Sequence, residues 1–415
     1  MGRMTRRVFA AAAAGTLSGT MATGRAVGAG PSGGAPPDPS PGSGRATAPE
    51  MRGMWLATVA NIDWPTVPGL AREIQQAQLL AELDLAVRRK LNTVVFQVRP
   101  TADALWPSPH EPWSQWLSGE QGKDPGWDPL GFAVREAHAR DLRLHAWFNP
   151  YRVANHADRE RLTGDHPARR NPKWAVSYGG KLYYNPGLPE VRRFVQDAMF
   201  DAVERYDIDG VHWDDYFYPY PAGGEEFDDT EAFREHGGDF SDLGDWRRNN
   251  IDLLVRETSR RLRRTKPGVP FGVSPFALWR GKRTDPRGAD STAGVETYDD
   301  LYADTRTWVT EEWVDYIAPQ VYWHIGFPAA DYAELVSWWD RTVEGTSVDL
   351  YIGEALYKVA DPAQPAQWHD PKELSRHLDL CRDHPRVKGH LYFSAKGVAG
   401  DPIGAMTTVV ADHYA

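Results

Sequence analysis

Two adjacent aspartates, Asp214 and Asp215, close the run Gly210-Val211-His212-Trp213-Asp214-Asp215. Apolar and aromatic residues there lead straight into two carboxyl groups. Carboxyl pairs are the usual equipment for acid–base hydrolysis, with one group giving a proton and the other acting as nucleophile or base. Neighbours on a strand point to opposite faces. His212, Asp214 and Tyr216 therefore share one side, and Val211, Trp213 and Asp215 the other. Val and Trp suit a packed outer face, so Asp214 is expected inside. Asp215, at the strand end, is expected to turn into the site or brace the loop.

Other short β-type runs also end in polar or aromatic residues where packing alone would favour Val or Ile. These are Arg99; Asn149, Tyr151 and Arg152; Gln320, Tyr322 and Trp323; and Glu354. Such a rim suits carbohydrate, because sugars need polar partners for hydroxyls and flat apolar surfaces for their C–H faces. Arg99 is expected to bind substrate by reading an anion, or to pair with Asp214 and hold that carboxylate ionised. Asn149, Tyr151, Arg152, Tyr216, Gln320 and Tyr322 read as substrate binders, and Trp323 as a sugar platform. The catalytic set is Asp214, Asp215 and Glu354. The partner of Asp214 stays open between Glu354, Asp63 and a third route, in which the 2-acetamido group of an amino sugar is the nucleophile.

Eight strands are expected to hold these residues, at 53–59, 93–98, 143–149, 210–217, 270–276, 316–323, 349–355 and 389–395. Helical periodicity fills the intervals: Leu80, Leu83 and Val87 in one, Ile251, Leu254, Val255, Thr258 and Leu262 in another. Eight βα units in a row close most simply into an α/β (β/α)8 TIM barrel. An open doubly wound sheet would need a Gly-rich turn after the first strand, where Asn61-Ile62-Asp63-Trp64-Pro65 stands instead. Long loops, 150–188 and 218–245, follow the third and fourth strands and are expected to wall the site. The acidic run Glu225, Glu226, Asp228, Asp229 and Glu231 lacks the spacing of a calcium loop and reads as a solvated loop.

The stretches RGMWLATV (52–59), FQVRPTADALWPS (96–108), HAWFNPYR (145–152), DGVHWDDYFYP (209–219), FGVSPF (271–276) and APQVYW (318–323) resemble the glycosyl-hydrolase-like family 10, a group of exported barrel proteins. The match runs from about residue 51 to about residue 400. The resemblance implies a glycosidase fold with its active site around the fourth-strand carboxylates, and the glycan strands of peptidoglycan as one substrate class.

The 57 acidic and 47 basic residues give a formal charge of −10, which disfavours nucleic acid as a partner. The single cysteine, Cys381, excludes an intramolecular disulfide and a Cys-cluster metal site. Residues 1–29 read as an export signal, with Thr5-Arg6-Arg7-Val8-Phe9 like a twin-arginine motif. Their removal takes four arginines and no acids, moving the charge from −10 to −14. Residues 30–49 read as a Pro/Gly/Ser-rich linker, and 50–415 as one barrel domain. No membrane span is expected in the mature chain, and no cofactor. Two rival readings stand beside the glycosidase: a non-catalytic glycan binder on a glycosidase scaffold, and a metal-dependent hydrolase using His145, His212, Asp214 and His324.

Overall fold

Eleven strands organise the computed structural model, which describes residues 50–414, so the segments read as export signal and linker lie outside the described residues. In chain order they are β1 (Met51–Leu56), β2 (Thr93–Arg99), β3 (Arg143–Phe148), β4 (Arg152–Ala154), β5 (Ala175–Tyr178), β6 (Lys181–Tyr184), β7 (Gly210–Trp213), β8 (Phe271–Val273), β9 (Tyr316–Ile317), β10 (Asp349–Glu354) and β11 (Val387–Tyr392). Eight of them close a parallel barrel in the order β1-β2-β3-β7-β8-β9-β10-β11, with β11 pairing back onto β1. The fold is a (β/α)8 TIM barrel, as the sequence predicts. Three expected strands are cut to half their expected length or less: β7 stops at Trp213, β8 at Val273 and β9 at Ile317. Pro275 and Pro319 lie just beyond two of these ends, and a proline offers no N–H to continue a ladder.

The helices follow the expected pattern in one case and shift in another. The Leu243–Thr265 helix is capped by Asp242, whose side chain accepts from the Asp245 amide, and it buries Ile251, Leu254, Val255, Thr258 and Leu262. The Arg72–Arg88 helix instead buries Leu79, Leu83 and Ala86, while Val87 is exposed. The stripe is rotated by about a residue from the expected one.

Alternation on each strand separates two apolar sets. Trp213 points outward, fully buried, with its ring 4.7 Å from Phe271. Burial of such a ring contributes roughly 4–6 kcal/mol of transfer free energy. Inside the barrel sit Met51, Trp55, Val95, Trp147, Tyr316, Tyr351 and Leu391. Glycines make room for them. A Cβ on Gly210 would meet the His145 ring at 2.5 Å, and one on Gly272 the Tyr316 ring at 2.0 Å. The lumen is therefore filled by large rings set against bare backbone.

The loop after β3 carries structure that the sequence reading left out. β4, β6 and β5 form a three-stranded antiparallel sheet, with Arg152 opposite Tyr183 and Tyr178 opposite Lys181. Its tight turn is Gly179-Gly180, with φ of 55° and 72°, the positive-φ pair that a two-residue hairpin requires.

Candidate active site

The layer below the site is polar but uncharged. Trp55 donates to His212 Nε2 at 3.1 Å, and Ser274 Oγ lies 2.9 Å from the same nitrogen. With Nε2 accepting, Nδ1 carries the proton and faces the Tyr316 oxygen at 2.9 Å, leaving the Tyr316 hydroxyl to donate to His145 Nδ1 at 2.9 Å. Burial pushes His212 well below the ordinary histidine range and His145 to about 3. Both histidines are thus spent on each other's neighbours, and His324 Nδ1 is bonded to the Ile325 carbonyl. The described residues gather no set of three potential metal ligands.

His212 inside the lumen fixes the register, so Asp214, two residues on, faces the same way. It is 5% exposed and Asp215 is 7% exposed. Because β7 has ended, Asp215 is free of strand alternation and also turns to the site, where Tyr220 donates to it. Gln320 hydrogen-bonds Asp215 as well and donates to the Ser274 carbonyl. Both carboxyl groups are raised above the ordinary range. Burial is the main cause for each, and the charge of Asp215 adds to it at Asp214.

Asp214 is held by a relay of amides. The backbone N–H groups of Thr58 and Val59 both donate to Gln97 Oε1 at 2.9 Å, which fixes the orientation of that amide. Gln97 Nε2 then donates to Asn149 Oδ1 at 2.6 Å, and Asn149 Nδ2 donates to Asp214 Oδ2. The Tyr216 backbone amide reaches Asp214 Oδ1 at 3.3 Å. Gln97 lies at a β2 end like the predicted residues, and its polar amide on a lumen-facing position was the signal for it.

Arg99 does not meet Asp214. It is fully buried, paired with Glu111 through Nε at 2.6 Å and Nη2 at 2.5 Å, and it caps the Asn149 and Pro150 carbonyls. A register shift between Gln97 and Arg99 in the β2–β3 pairing turns its side chain away from the inward set. The cation that acts on the aspartates is Arg152. Its charge opposes the upward shift at both, and its guanidinium lies 4.9 Å over the Tyr216 ring.

Glu354 is likewise not a partner for Asp214. Tyr351 points into the lumen, so Glu354, three residues on, faces the helices. Its oxygens are taken by Tyr332 at 2.7 Å, His390 at 2.9 Å and His377 at 2.8 Å, and its side chain is fully buried. Burial alone would raise it, but the charge of His377 and the two histidine hydrogen bonds bring it to about 2. Asp63 is also engaged, accepting from Ala57, Ser394 and Lys396 and so tying the first barrel loop to the last. Tyr151 is buried among the core side chains rather than in the site, and its hydroxyl has no hydrogen-bond partner.

Aromatic rings rise from the carboxyl pair to the rim. Tyr216 meets Tyr220 at 5.6 Å, Tyr220 meets Phe276 at 6.2 Å and Phe276 meets Trp323 at 5.5 Å, all edge to face. Tyr322 and Tyr357, 5.7 Å apart, form a second pair, and both aspartate charges act on Tyr322. Of the acidic loop, Asp229 is paired with Arg247 and Glu231 with Lys173, while Glu225 accepts from the Gly179 amide.

Comparison with known proteins bears on the fold and the family. Residues 50–370 match the family model described as Glycosyl hydrolase-like 10. The chain is 47% identical over 367 residues to "Glycosyl hydrolase YngK" of Bacillus subtilis, covering 88% of this chain and 72% of the relative. It is 40% identical over 373 residues to "Glycosyl hydrolase DigH" of Escherichia coli K12, covering 85% and 84%. Among solved structures, the PgaB (BpsB) glycoside hydrolase domain from Bordetella bronchiseptica superposes with a TM-score of 0.56 at 14% identity, covering 87% of this chain and 99% of that one. An α-L-fucosidase isoenzyme from Paenibacillus thiaminolyticus superposes at 0.54 and 14% identity, covering 88% and 50%. The barrel is therefore shared with glycoside hydrolases, and the chain belongs to the Glycosyl hydrolase-like 10 family.

Proposed function

We propose that the protein is an exported glycoside hydrolase acting on an amino-sugar polysaccharide, with the glycan strands of peptidoglycan as the leading substrate. The observation that carries this reading is the buried pair Asp214 and Asp215, turned to one site although adjacent in sequence. Asp214, raised by burial and by its neighbour's charge, acts as the general acid. Asp215 accepts from Tyr220 and Gln320, which favours its anionic form.

With Glu354 turned outward and Asp63 taken up by Ala57, Ser394 and Lys396, substrate assistance becomes the better account. Asp214 gives its proton to the glycosidic oxygen as the C–O bond breaks. The acetamido carbonyl oxygen of the substrate closes onto the anomeric carbon, while Asp215 accepts a hydrogen bond from the acetamido N–H. Water then attacks the anomeric carbon, the bond from that carbon to the acetamido oxygen breaks to restore the acetamido group, and the water surrenders a proton to the Asp214 carboxylate.

Digestion of purified peptidoglycan strands, followed by mass analysis, tests the reading. Reducing-end fragments released by the wild type and absent with Asp214→Asn are expected. Binding of strands with no fragments from the wild type would favour the non-catalytic binder instead. Export is tested separately: replacing Arg6 and Arg7 by Lys is expected to retain precursor in the cytoplasm, and normal secretion of that variant would end the twin-arginine reading.

A further inference from the structure

Two cations on the β4–β6 sheet stand without an anion of their own, and one of them, Arg152, acts on both aspartates. Arg152 is 7% exposed; its Nε donates to the Pro100 carbonyl at 3.0 Å, and its buried Nη2 has no hydrogen-bond partner. Lys181, half-buried at the hairpin, forms no ion pair among the described residues. Its pKa is lowered by burial and then by the charge of Arg152. The sheet explains why they meet. Arg152 lies opposite Tyr183, and Lys181 is two residues from Tyr183 on the same strand, so all three share one face. Arg152 acts on Tyr183 as well as on Asp214 and Asp215, which places this face against the carboxyl pair.

Like charges that repel each other while partly desolvated are costly unless an anion completes them. The two aspartates do not fill that role: neither lies within ion-pair distance of Arg152 or Lys181, and each has its own donors. A neutral sugar oxygen can accept from Arg152 Nη2, but it leaves both positive charges uncompensated. We infer that Arg152 and Lys181 form an anion subsite that reads a carboxylate carried by the sugar next to the scissile bond. The guanidinium, 4.9 Å over the Tyr216 ring, supplies a flat donor edge, and the ammonium supplies a second charge from the hairpin. This inference rests on the glycosidase reading of Asp214 and Asp215, and deepens it by giving the substrate a charge.

The test is calorimetric, on the Asp214→Asn protein so that nothing is consumed. One probe is a tetrasaccharide of alternating N-acetylglucosamine and N-acetylmuramic acid with free ether-linked carboxylates. The other is the same tetrasaccharide with each carboxylate converted to its methyl amide. The acid is expected to bind about 10- to 100-fold more tightly than the amide, as charge-assisted hydrogen bonds of about 1.5–3 kcal/mol would give. Adding Lys181→Met or Arg152→Gln is expected to bring that ratio towards one. Lys181 is half-buried next to the exposed Gly179-Gly180 turn and has no ion pair among the described residues to lose, so its variant keeps the test alive if the arginine variant folds poorly. Equal affinity for acid and amide in the parent protein would overturn the subsite and leave the glycosidase reading standing. Failure of both probes to bind, with no cleavage of either by the wild type, would overturn the glycan reading and the subsite with it.

Discussion

Asn149 donates its side-chain amide to Oδ2 of Asp214, and that bond selects which oxygen of the aspartate holds a proton. Oδ1 accepts only the longer 3.3 Å contact from the Tyr216 amide, so it is the better seat for the acid hydrogen. The choice is made two residues upstream in the relay, because Gln97 presents its amino end to Asn149 only while Thr58 and Val59 occupy its oxygen.

Asp214→Asn should lower kcat by about 10²–10⁴-fold, the usual worth of a positioned acid. Strand affinity should change far less, since the proton is needed at the transition state rather than on binding. Steady-state rates paired with calorimetry of the same variant decide it. Wild-type turnover in this variant would remove Asp214 from the mechanism.

Gln97→Glu reverses the relay without removing a side chain. The new carboxylate keeps the Thr58 and Val59 amides but has no N–H for Asn149, so Asn149 must turn its amino group towards residue 97. Its oxygen then faces Asp214, which is driven towards the protonated form. The alkaline limb of the kcat profile should move to higher pH, with a lower maximum. A profile superposable on the wild type after scaling would mean that Gln97 only fills space.

The raised carboxyl at Asp214 also has a consequence for stability. A group whose folded pKa lies above its unfolded value binds more protons when folded, so stability falls as pH rises through that interval. Asp214→Asn cannot ionise and escapes this loss. The variant should melt above the wild type at pH 8, with the difference shrinking as the pH approaches about 4, the ordinary aspartate range. Thermal scans at several pH values measure it, and a difference that grows on acidification would contradict the assignment.

Glu354→Gln should act on folding. Its carboxylate sits between His377 and His390, and removing one member of a buried charged set costs about 3–5 kcal/mol. In the wild type, Glu354 is lowered to about 2, so its contribution is present above the unfolded carboxylate range and is lost only as pH falls towards 2. Urea unfolding should show the deficit, while the folded variant keeps kcat. A fully stable variant that had lost turnover would return Glu354 to the active site.

The eight strands and the inward set of β7 were legible because alternation is a local property: Val211 and Trp213 are outside, and His212 and Asp214 inside. Glu354 failed for an informative reason. A carboxylate at a strand end looks the same whether it faces lumen or helix, and its partner His377 is 23 residues away. Arg99 failed through a register shift between Gln97 and itself, which reverses the parity of one position and leaves no mark on composition. The hairpin at Gly179-Gly180 was readable from Ser177-Tyr178 and Leu182-Tyr183-Tyr184 around it, but it fell inside a segment taken as loop. That omission hid Lys181.

The ring-filled lumen bears on how a polymer approaches. Trp55, Trp147, Tyr316, Tyr351 and Leu391 lie at or below 5% exposure beneath the aspartates, with His145 and His212 bonded among them. The barrel therefore has a floor and a single mouth. On the proposed reading, a chain of sugars is not threaded through it but lies across the rim, with one linkage dipped towards Asp214. Both newly made ends then leave by the way the strand came in.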